Sequence, residues 1–306
     1  MNPLVAILGP TGSGKSELAL AVAERHAGEI VNFDSLQVYR HFNIGAAKLS
    51  IEERRGIPHH LVDTLEPEEV FSAGEFARRA SQTAREIRRR GRLPVLAGGT
   101  GFYLRALTEG LFPGPARDHD VRRRLEARGA ARVHRLLCRL DPPAAARIHP
   151  HDLPKLIRAL EVRLVARRPI TELFASGRES LEGFDVLKLG LLPDREELYR
   201  RINQRTEAML AGGLVEEAER ILARGCPPTV KPFGALGYRQ ALAVLRGELT
   251  RTEAVFLTQR DTRRYAKRQI TWFRRESGVI WLPGFGDEQE IQRQALERVG
   301  AFLDGP

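Results

Sequence analysis

Gly9-Pro10-Thr11-Gly12-Ser13-Gly14-Lys15-Ser16 matches the phosphate-loop pattern G-x-x-x-x-G-K-[ST] at every fixed position, and it follows directly on the apolar run Leu4-Val5-Ala6-Ile7-Leu8. Such a loop constrains the fold because it works between a strand and a helix. Its glycines let backbone N–H groups close around phosphate oxygens, and the positive end of the next helix faces the anion. Lys15 supplies a point charge and the Ser16 hydroxyl a ligand for Mg²⁺. The loop alone leaves open whether the phosphate is a nucleoside triphosphate or another diphosphate ester.

Strand-like runs at 4–8, 29–33 and 93–97 alternate with helical patterns, which predicts β-α-β units around a parallel sheet, an α/β P-loop nucleoside-triphosphate-hydrolase-like core. Residues 15–26 read as the helix carrying Lys15 and Ser16 on its first turn. Ser72-x-x-Glu75 is a capping signal for a helix running to about Arg90, where Gly91 can end it. After Gly110-Leu111-Phe112-Pro113-Gly114-Pro115 the texture changes. Residues 119–182 are nearly all helical in pattern, with breaks at Pro142-Pro143, Pro150, Pro154, Pro169 and Gly177. Strand patterns return at 184–192 and 279–282. The expected organisation is a discontinuous core, 1–116 and 184–306, around a helical insertion, 117–183.

At 306 residues the chain can bury a substantial core, and 42% hydrophobic with 29% charged residues is ordinary for a globular protein. No stretch of about 18 apolar residues occurs, and the first strand starts at once, so the expectation is a cytoplasmic protein with neither membrane span nor signal peptide. Cys138 and Cys226 are the only cysteines; they lack C-x-x-C spacing and read as two buried thiols. A net charge of +10 points to a polyanion such as nucleic acid. Because 43 of the 49 basic residues are Arg, base composition of the gene is an equal explanation, and the question becomes whether the charge is clustered.

It is clustered between Arg260 and Arg275, with seven basic residues and one acid in sixteen. At helical spacing Arg260, Arg264, Lys267, Thr271 and Arg274 form one stripe while Ala266, Ile270 and Phe273 form another, so one face can dock while the other meets phosphates. Asp34 ends the second strand, where ligands of open parallel sheets bind, and suits a general base or an outer Mg²⁺ partner; the structural alternative is a helix N-cap. Gly98-Gly99-Thr100-Gly101 follows the third strand at the same end of the sheet, either as part of the site or for turn geometry. Arg201 and Arg205, one helical turn apart, could form a lid over a diphosphate or be exposed helix arginines. His59-His60 lacks a carboxylate or Cys at ligand spacing and reads as a structural pair.

The phosphate loop together with Asp34-Ser35-Leu36-Gln37-Val38-Tyr39-Arg40, Ile44-Gly45-Ala46-Ala47-Lys48, Pro58-His59-His60-Leu61-Val62-Asp63, Gly98 to Leu104, Arg158 to Val162, Leu236 to Gln240 and Lys267 to Trp272 resembles, in order, the tRNA dimethylallyltransferases, or isopentenyl-tRNA transferases, of the IPP transferase family. The resemblance implies transfer of a dimethylallyl group from dimethylallyl diphosphate to the exocyclic N6 amine of the adenosine immediately 3′ of the anticodon, with Mg²⁺ required. It implies that the phosphate loop, which its motif alone would assign to ATP, holds the prenyl diphosphate. Lys15 and Ser16 then hold diphosphate and Mg²⁺, Asp34 takes the proton of the attacking amine, and Thr100 helps position the adenine.

By the same resemblance tRNA, through its anticodon stem-loop, is contacted by Asp34-Ser35-Leu36-Gln37, Thr100, Arg122, Pro154-Lys155-Leu156-Ile157-Arg158, Gly234-Ala235-Leu236-Gly237-Tyr238-Arg239 and Lys267-Arg268-Gln269-Ile270-Thr271-Trp272-Phe273-Arg274. Leu153-Pro154-Lys155 replaces a polar pair common among relatives, and Gly234 a larger polar residue of some members; both bear on tRNA selectivity. The cysteine zinc module of some eukaryotic members is absent, as expected of a compact bacterial-type enzyme acting as a monomer. A small-molecule P-loop kinase would share the loop, the Asp34 position and an arginine lid but has no need of a basic Trp-bearing helix. A GTPase switch lacks its Asn-Lys-x-Asp motif, and a non-catalytic RNA-binding module leaves the loop and Asp34 unexplained.

Overall fold

The computed structural model describes residues 2–111, 114, 115, 117–175 and 181–305. Phe112, Pro113 and Gly177, which the sequence marked as boundary and breaker positions, lie outside the described residues. The strands are β1 (Pro3–Leu8), β2 (Gly28–Asn32), β3 (His59–His60), β4 (Leu93–Gly98), β5 (Asp185–Leu191) and β6 (Val279–Leu282). The first helices are α1 (Lys15–Arg25), α2 (Ala73–Arg89), α3 (Gly101–Thr108), α4 (His119–Glu126), α5 (Ala130–Leu140), α6 (Pro142–Arg147), α7 (Leu153–Val165) and α8 (Ile170–Ala175). The later ones are α9 (Arg195–Ala211), α10 (Leu214–Ala223), α11 (Tyr238–Leu245), α12 (Arg251–Phe273) and α13 (Gln289–Asp304).

The chain divides into one unit of 1–107 with 182–306 and a second of 108–181. The first is built on a parallel six-stranded sheet in the order β3-β2-β4-β1-β5-β6. β1 lies near its middle, and Leu4 to Leu8 are all fully buried, as expected of a strand covered on both faces. Val5 and Ile7 pack with Leu18, Ala19 and Val22 of α1 and with Ile291, Ala295 and Val299 of α13. α1 starts straight from the phosphate loop because Gly14 takes a left-handed conformation (φ 78°) that an L side chain adopts only with strain. α2 opens as its sequence signal predicts, the Ser72 hydroxyl accepting from the Glu75 amide at 3.1 Å. β3 was not anticipated: two residues carry no strand periodicity, and they pair with Ile30 and Val31 through neighbours rather than propensity. α12 is also longer than its basic stretch, starting at a Thr250–Glu253 capping box.

The second unit is helical, as its sequence texture indicates, with Leu125, Val133, Leu137, Leu156, Ile157 and Leu160 in its core. Its prolines act differently from the breaks expected of them. Pro142-Pro143 and Pro154 occupy the first turns of α6 and α7, where the missing N–H has no partner to lose. Cys138 is exposed, against the expectation of two buried thiols, because it faces outward on α5, whereas Cys226 is buried and its thiol pKa is pushed up to about 11. Among the described residues no helix is long and apolar enough to cross a membrane.

One buried carboxylate organises this unit. Glu161 accepts from Arg122 Nε at 3.0 Å, Arg158 Nη1 at 2.7 Å and the Asp118 amide at 2.8 Å, and its side chain is fully enclosed. Removing it leaves two arginines side by side without their shared partner. Glu161→Ala is therefore expected to destabilise the helical unit by about 1–3 kcal/mol, below the range for a wholly buried pair because both guanidinium groups keep some solvent. Hydrogen exchange of the full chain checks this; protection of 118–165 unchanged from wild type would show that Glu161 is dispensable.

Candidate active site at the carboxyl ends of the strands

The loop leaving β1, the segment leaving β2 and the turn leaving β4 meet at one end of the sheet. Parallel strands deliver successive βα loops to the same edge, so neighbouring β1, β2 and β4 bring Lys15, Asp34 and Gly98–Gly101 together although they are far apart in sequence. Here a cavity of about 450 Å³ opens within the first unit, lined by Thr11, Gly12, Lys15, Ser16, Asp34 and Gln37, by Gly45 to Leu49, by Arg205 and Met209 of α9, by Leu236, and by Tyr265, Arg268 and Gln269 of α12. That size suits a small ligand.

Lys15, Lys48, Arg54, Arg205, Arg239 and Arg268 line this cavity with a single carboxylate, Asp34. Burial pushes the Lys15 ammonium down to about 8; Asp34 opposes the shift and Arg205 adds to it. The Arg205 guanidinium is likewise lowered by the surrounding protein, with Asp34 opposing. Lys15 is half-buried in the loop while Arg205 is exposed to the solvent that fills the cavity, so an arriving anion would meet one poorly solvated charge and one that stays hydrated. Lys15 Nζ meanwhile donates to the Pro10 carbonyl at 3.1 Å within its own loop.

Asp34 is no helix N-cap. Its Oδ1 accepts from the Leu36 amide at 2.8 Å in a turn, and its own amide donates to Asn32 Oδ1 at 2.9 Å. Thr100 Oγ1 accepts from the Ser35 amide at 3.1 Å, and Gln37 Nε2 donates to Ala46 and Ala47, so the hydroxyl assigned to adenine serves to hold the 34–37 segment and lies outside the cavity lining. The two proposed lid arginines part company. Arg205 faces the cavity, but Arg201 Nη1 donates to both Asp287 oxygens at 2.8 Å and its guanidinium stacks on Phe285. Arg201 thus braces the turn whose Gly286 amide donates to Ser13 in the phosphate loop. His60 pairs with Glu29 and His59 with the Ile57 carbonyl; among the described residues no group of three His, Cys, Asp or Glu forms a metal cage.

α12 presents two faces. Arg264, Lys267, Thr271, Trp272 and Arg274 are exposed, as is Arg268, while Ala266, Gln269 and Phe273 are buried and Ile270 packs against the Leu198 cluster. Trp272 lies over Gly101, with Arg105 stacked 4.9 Å from its ring. Ile270 and Phe273 in this stretch, and Leu156 and Ile157 in α7, therefore pack inward where the resemblance implied RNA contact, while buried Gln269 lines the cavity. Tyr238 is also buried, donating to Glu217 Oε1 at 2.5 Å and to no solvent-facing group, while Arg239 is exposed and pairs with Asp261. In the second unit Pro154 and Lys155 are exposed, and Arg122 and Arg158 are engaged by Glu161.

Sequence reasoning missed three supports. Glu217 accepts from the Asn43 and Ile44 amides and from Tyr238, fixing the 43–47 segment. Lys48, almost wholly enclosed, donates to Asp63 at 2.5 Å and ties that segment to the end of β3. Asp287 holds Arg201. A glutamate amid helix residues and a lysine in a loop carry no local signal; only their distant partners reveal them.

Fold and site together define a P-loop protein with a cationic cavity at the carboxyl ends of its strands beside a surface-exposed basic helix. The chain belongs to the IPP transferase family, whose model matches residues 37–276. A relative named tRNA dimethylallyltransferase, from Solibacter usitatus (strain Ellin6076), is 61% identical over 98% of this chain and 99% of its own. The full-length tRNA isopentenylpyrophosphate transferase of Bacillus halodurans is similar in structure at TM-score 0.74 with 38% identity, covering 99% of this chain and 98% of that one. A eukaryotic dimethylallyltransferase solved acting on tRNA matches at TM-score 0.85 and 26% identity, over 99% of this chain and 79% of that protein. These similarities do not favour the small-molecule kinase.

The depressed Lys15 pKa has a signed consequence. Only the ammonium form attracts an anion, and below about 8 it is already present in the free protein. Affinity for inorganic diphosphate is expected to fall as pH rises through about 8, approaching tenfold per unit until the pKa of the bound lysine is reached. Calorimetric titrations against Lys15→Met, which corrects for titration of the diphosphate itself, check this; parallel pH profiles would assign the effect elsewhere.

Proposed function

We propose that this protein transfers a dimethylallyl group from dimethylallyl diphosphate to the N6 amine of the adenosine immediately 3′ of the anticodon in tRNA, releasing diphosphate. The observation that carries the reading is the pairing of a cationic phosphate-loop cavity with an exposed basic, tryptophan-bearing helix on the same unit. A prenyl diphosphate needs both a cationic end and an apolar one; beyond Lys15 and Arg205 the lining includes Ala19, Ile30, Val62, Met209 and Leu236. In this reading the enzyme works as a monomer in the cytoplasm, where tRNA is used.

The chemistry follows from charge. As the allylic C–O bond breaks, negative charge builds on the departing diphosphate, and Lys15, Arg205 and the α1 N-terminus offset it. Mg²⁺ would sit with the Ser16 hydroxyl and the diphosphate oxygens, near Asp34, a sparse oxygen donor set of the kind this ion accepts when substrate phosphates complete its shell. Asp34 takes the proton lost by the attacking amine, having a carboxylate oxygen to spare beyond its turn. The adenine cannot reach an enclosed carbon from within a stacked loop, so it is extruded at a cost of a few kcal/mol. Contacts from Arg264, Lys267 and Arg274, stacking on Trp272, and further contacts from exposed Pro154 and Lys155 on the helical unit supply that energy.

Incubation with tRNA and labelled dimethylallyl diphosphate or labelled ATP tests the assignment: label from the prenyl donor is expected on tRNA, and phosphoryl transfer from ATP would refute it. Asp34→Asn is expected to leave tRNA affinity within a few-fold but to lower single-turnover rates by about 10²–10⁴. A wild-type rate would remove Asp34 from the chemistry.

The basic stripe gives a separate test. Among the described residues Lys267 and Arg274 have no acid within 4 Å, and Arg264 has only Asp261 at 3.9 Å. Replacing all three with Gln is expected to weaken every tRNA and to flatten the dependence of log K on log salt by about 0.7 per lost contact. Identical slopes would make the stripe a solvated face.

A further inference from the structure

The phosphate loop differs from an open cradle in that one of its amides already has a partner. Thr11 N–H donates to Gln269 Oε1 at 2.8 Å, and Gln269 Nε2 donates to the Gly99 carbonyl at 2.8 Å. Gln269 is on the buried face of α12, and both ends of its carboxamide are engaged, so swinging it aside would strand a donor and an acceptor. Thr11 is the third residue of the loop, upstream of the Gly12–Ser16 amides that run into α1. In loops of this type the amides leading into the helix hold the inner phosphates and the lysine reaches toward the terminal one. An amide at the head of the loop therefore faces the place of an additional, outer phosphate.

The turn after β4 is shaped around this carboxamide. A Cβ on Gly99 would lie 2.3 Å from Gln269 Nε2 and 3.7 Å from Lys15 Cε, so only glycine lets the carboxamide settle beside the lysine stem. We propose that Gln269 sets the phosphate count of the site: by occupying the Thr11 amide and the space beside Lys15, it admits a diphosphate and rejects a triphosphate. This rests on the transfer reading above and names the residue that turns a nucleotide-type loop into a diphosphate site. Rejection arises because a third phosphate would meet a carboxamide oxygen in place of an amide donor, and could enter only by breaking both hydrogen bonds.

Calorimetry on the full chain with inorganic diphosphate and with tripolyphosphate, each with Mg²⁺, tests the assignment. Wild type is expected to prefer diphosphate. Gln269→Ala, which opens the space and frees the amide, is expected to raise the relative affinity for tripolyphosphate at least tenfold, and Gln269→Met, which frees the amide but fills the space, to raise it less. Equal weakening of both ligands in the Ala variant is the signature of a merely structural residue and would overturn the proposal. So would a wild type that binds tripolyphosphate as tightly as diphosphate, a result that needs no variant to fold. The two readings fail separately: ATP-dependent phosphoryl transfer by wild type sinks the prenyl-transfer assignment, whereas prenyl transfer with unchanged discrimination in Gln269→Ala sinks only this one.

Discussion

A cavity lined by several cations, Lys15 and Arg205 among them, has a single lining carboxylate, Asp34, and the surrounding architecture can be understood from that imbalance. Burial lowers the Lys15 pKa with a smaller contribution from Arg205, whose own guanidinium is lowered in the same direction though it stays exposed to the cavity solvent. Such a site is tolerable only if rigid elements hold the charges apart, and it becomes favourable when an anion arrives. Lys15 is fixed on the first turn of α1, Arg205 on α9, and Asp34 in a turn closed by its own side chain. The cost of keeping the cavity charged without an anion is thus spread over the packing of the first unit.

Rigidity is supplied by segments that have little regular structure of their own. Residues 34–37 are held by Thr100 and by Gln37, and 43–48 by Glu217, Tyr238 and Lys48. Gly45 shows how close this fit is, since a Cβ there would lie 2.4 Å from the Tyr238 ring. Burial pushes the Tyr238 hydroxyl well above its ordinary pKa, and the Glu217 carboxylate beside it acts in the same direction, so it stays a neutral donor. A neutral donor between a carboxylate and a backbone amide suits a support that must not titrate.

What the sequence made legible was local. The phosphate loop, the Ser72 cap and the parallel-strand runs each depend on residues within one or two turns, and the order of those elements placed Lys15 and Asp34 at one end of a sheet. What escaped depends on partners far apart in the chain. Gln269 lies 258 residues from Thr11 and 170 from Gly99, and within a basic helix it reads as one more polar residue facing RNA. The glycines after β4 read either as part of the site or as turn residues, and Gly98, Gly99 and Gly101 are required by the close approach of Phe33, Gln269 and Trp272, none of which is visible from the turn itself. Arg201 and Arg205 illustrate the same limit: one helical turn apart and identical in type, they were separated only by the position of Asp287.

α12 carries an exposed basic face and a buried face that reaches the phosphate loop. Its exposed side carries Lys267, Trp272 and Arg274, and three residues before Trp272 its buried side carries the glutamine that grips the phosphate loop. Gln269 and Trp272 lie so close over Gly99 and Gly101 that a Cβ at either glycine would collide with them, which fixes the approach of the helix to the β4 turn. In the proposed transfer one anion site takes a small diphosphate and the other a polynucleotide, and a single helix reaching both would keep the reacting groups in register without relying on the spacing of two elements.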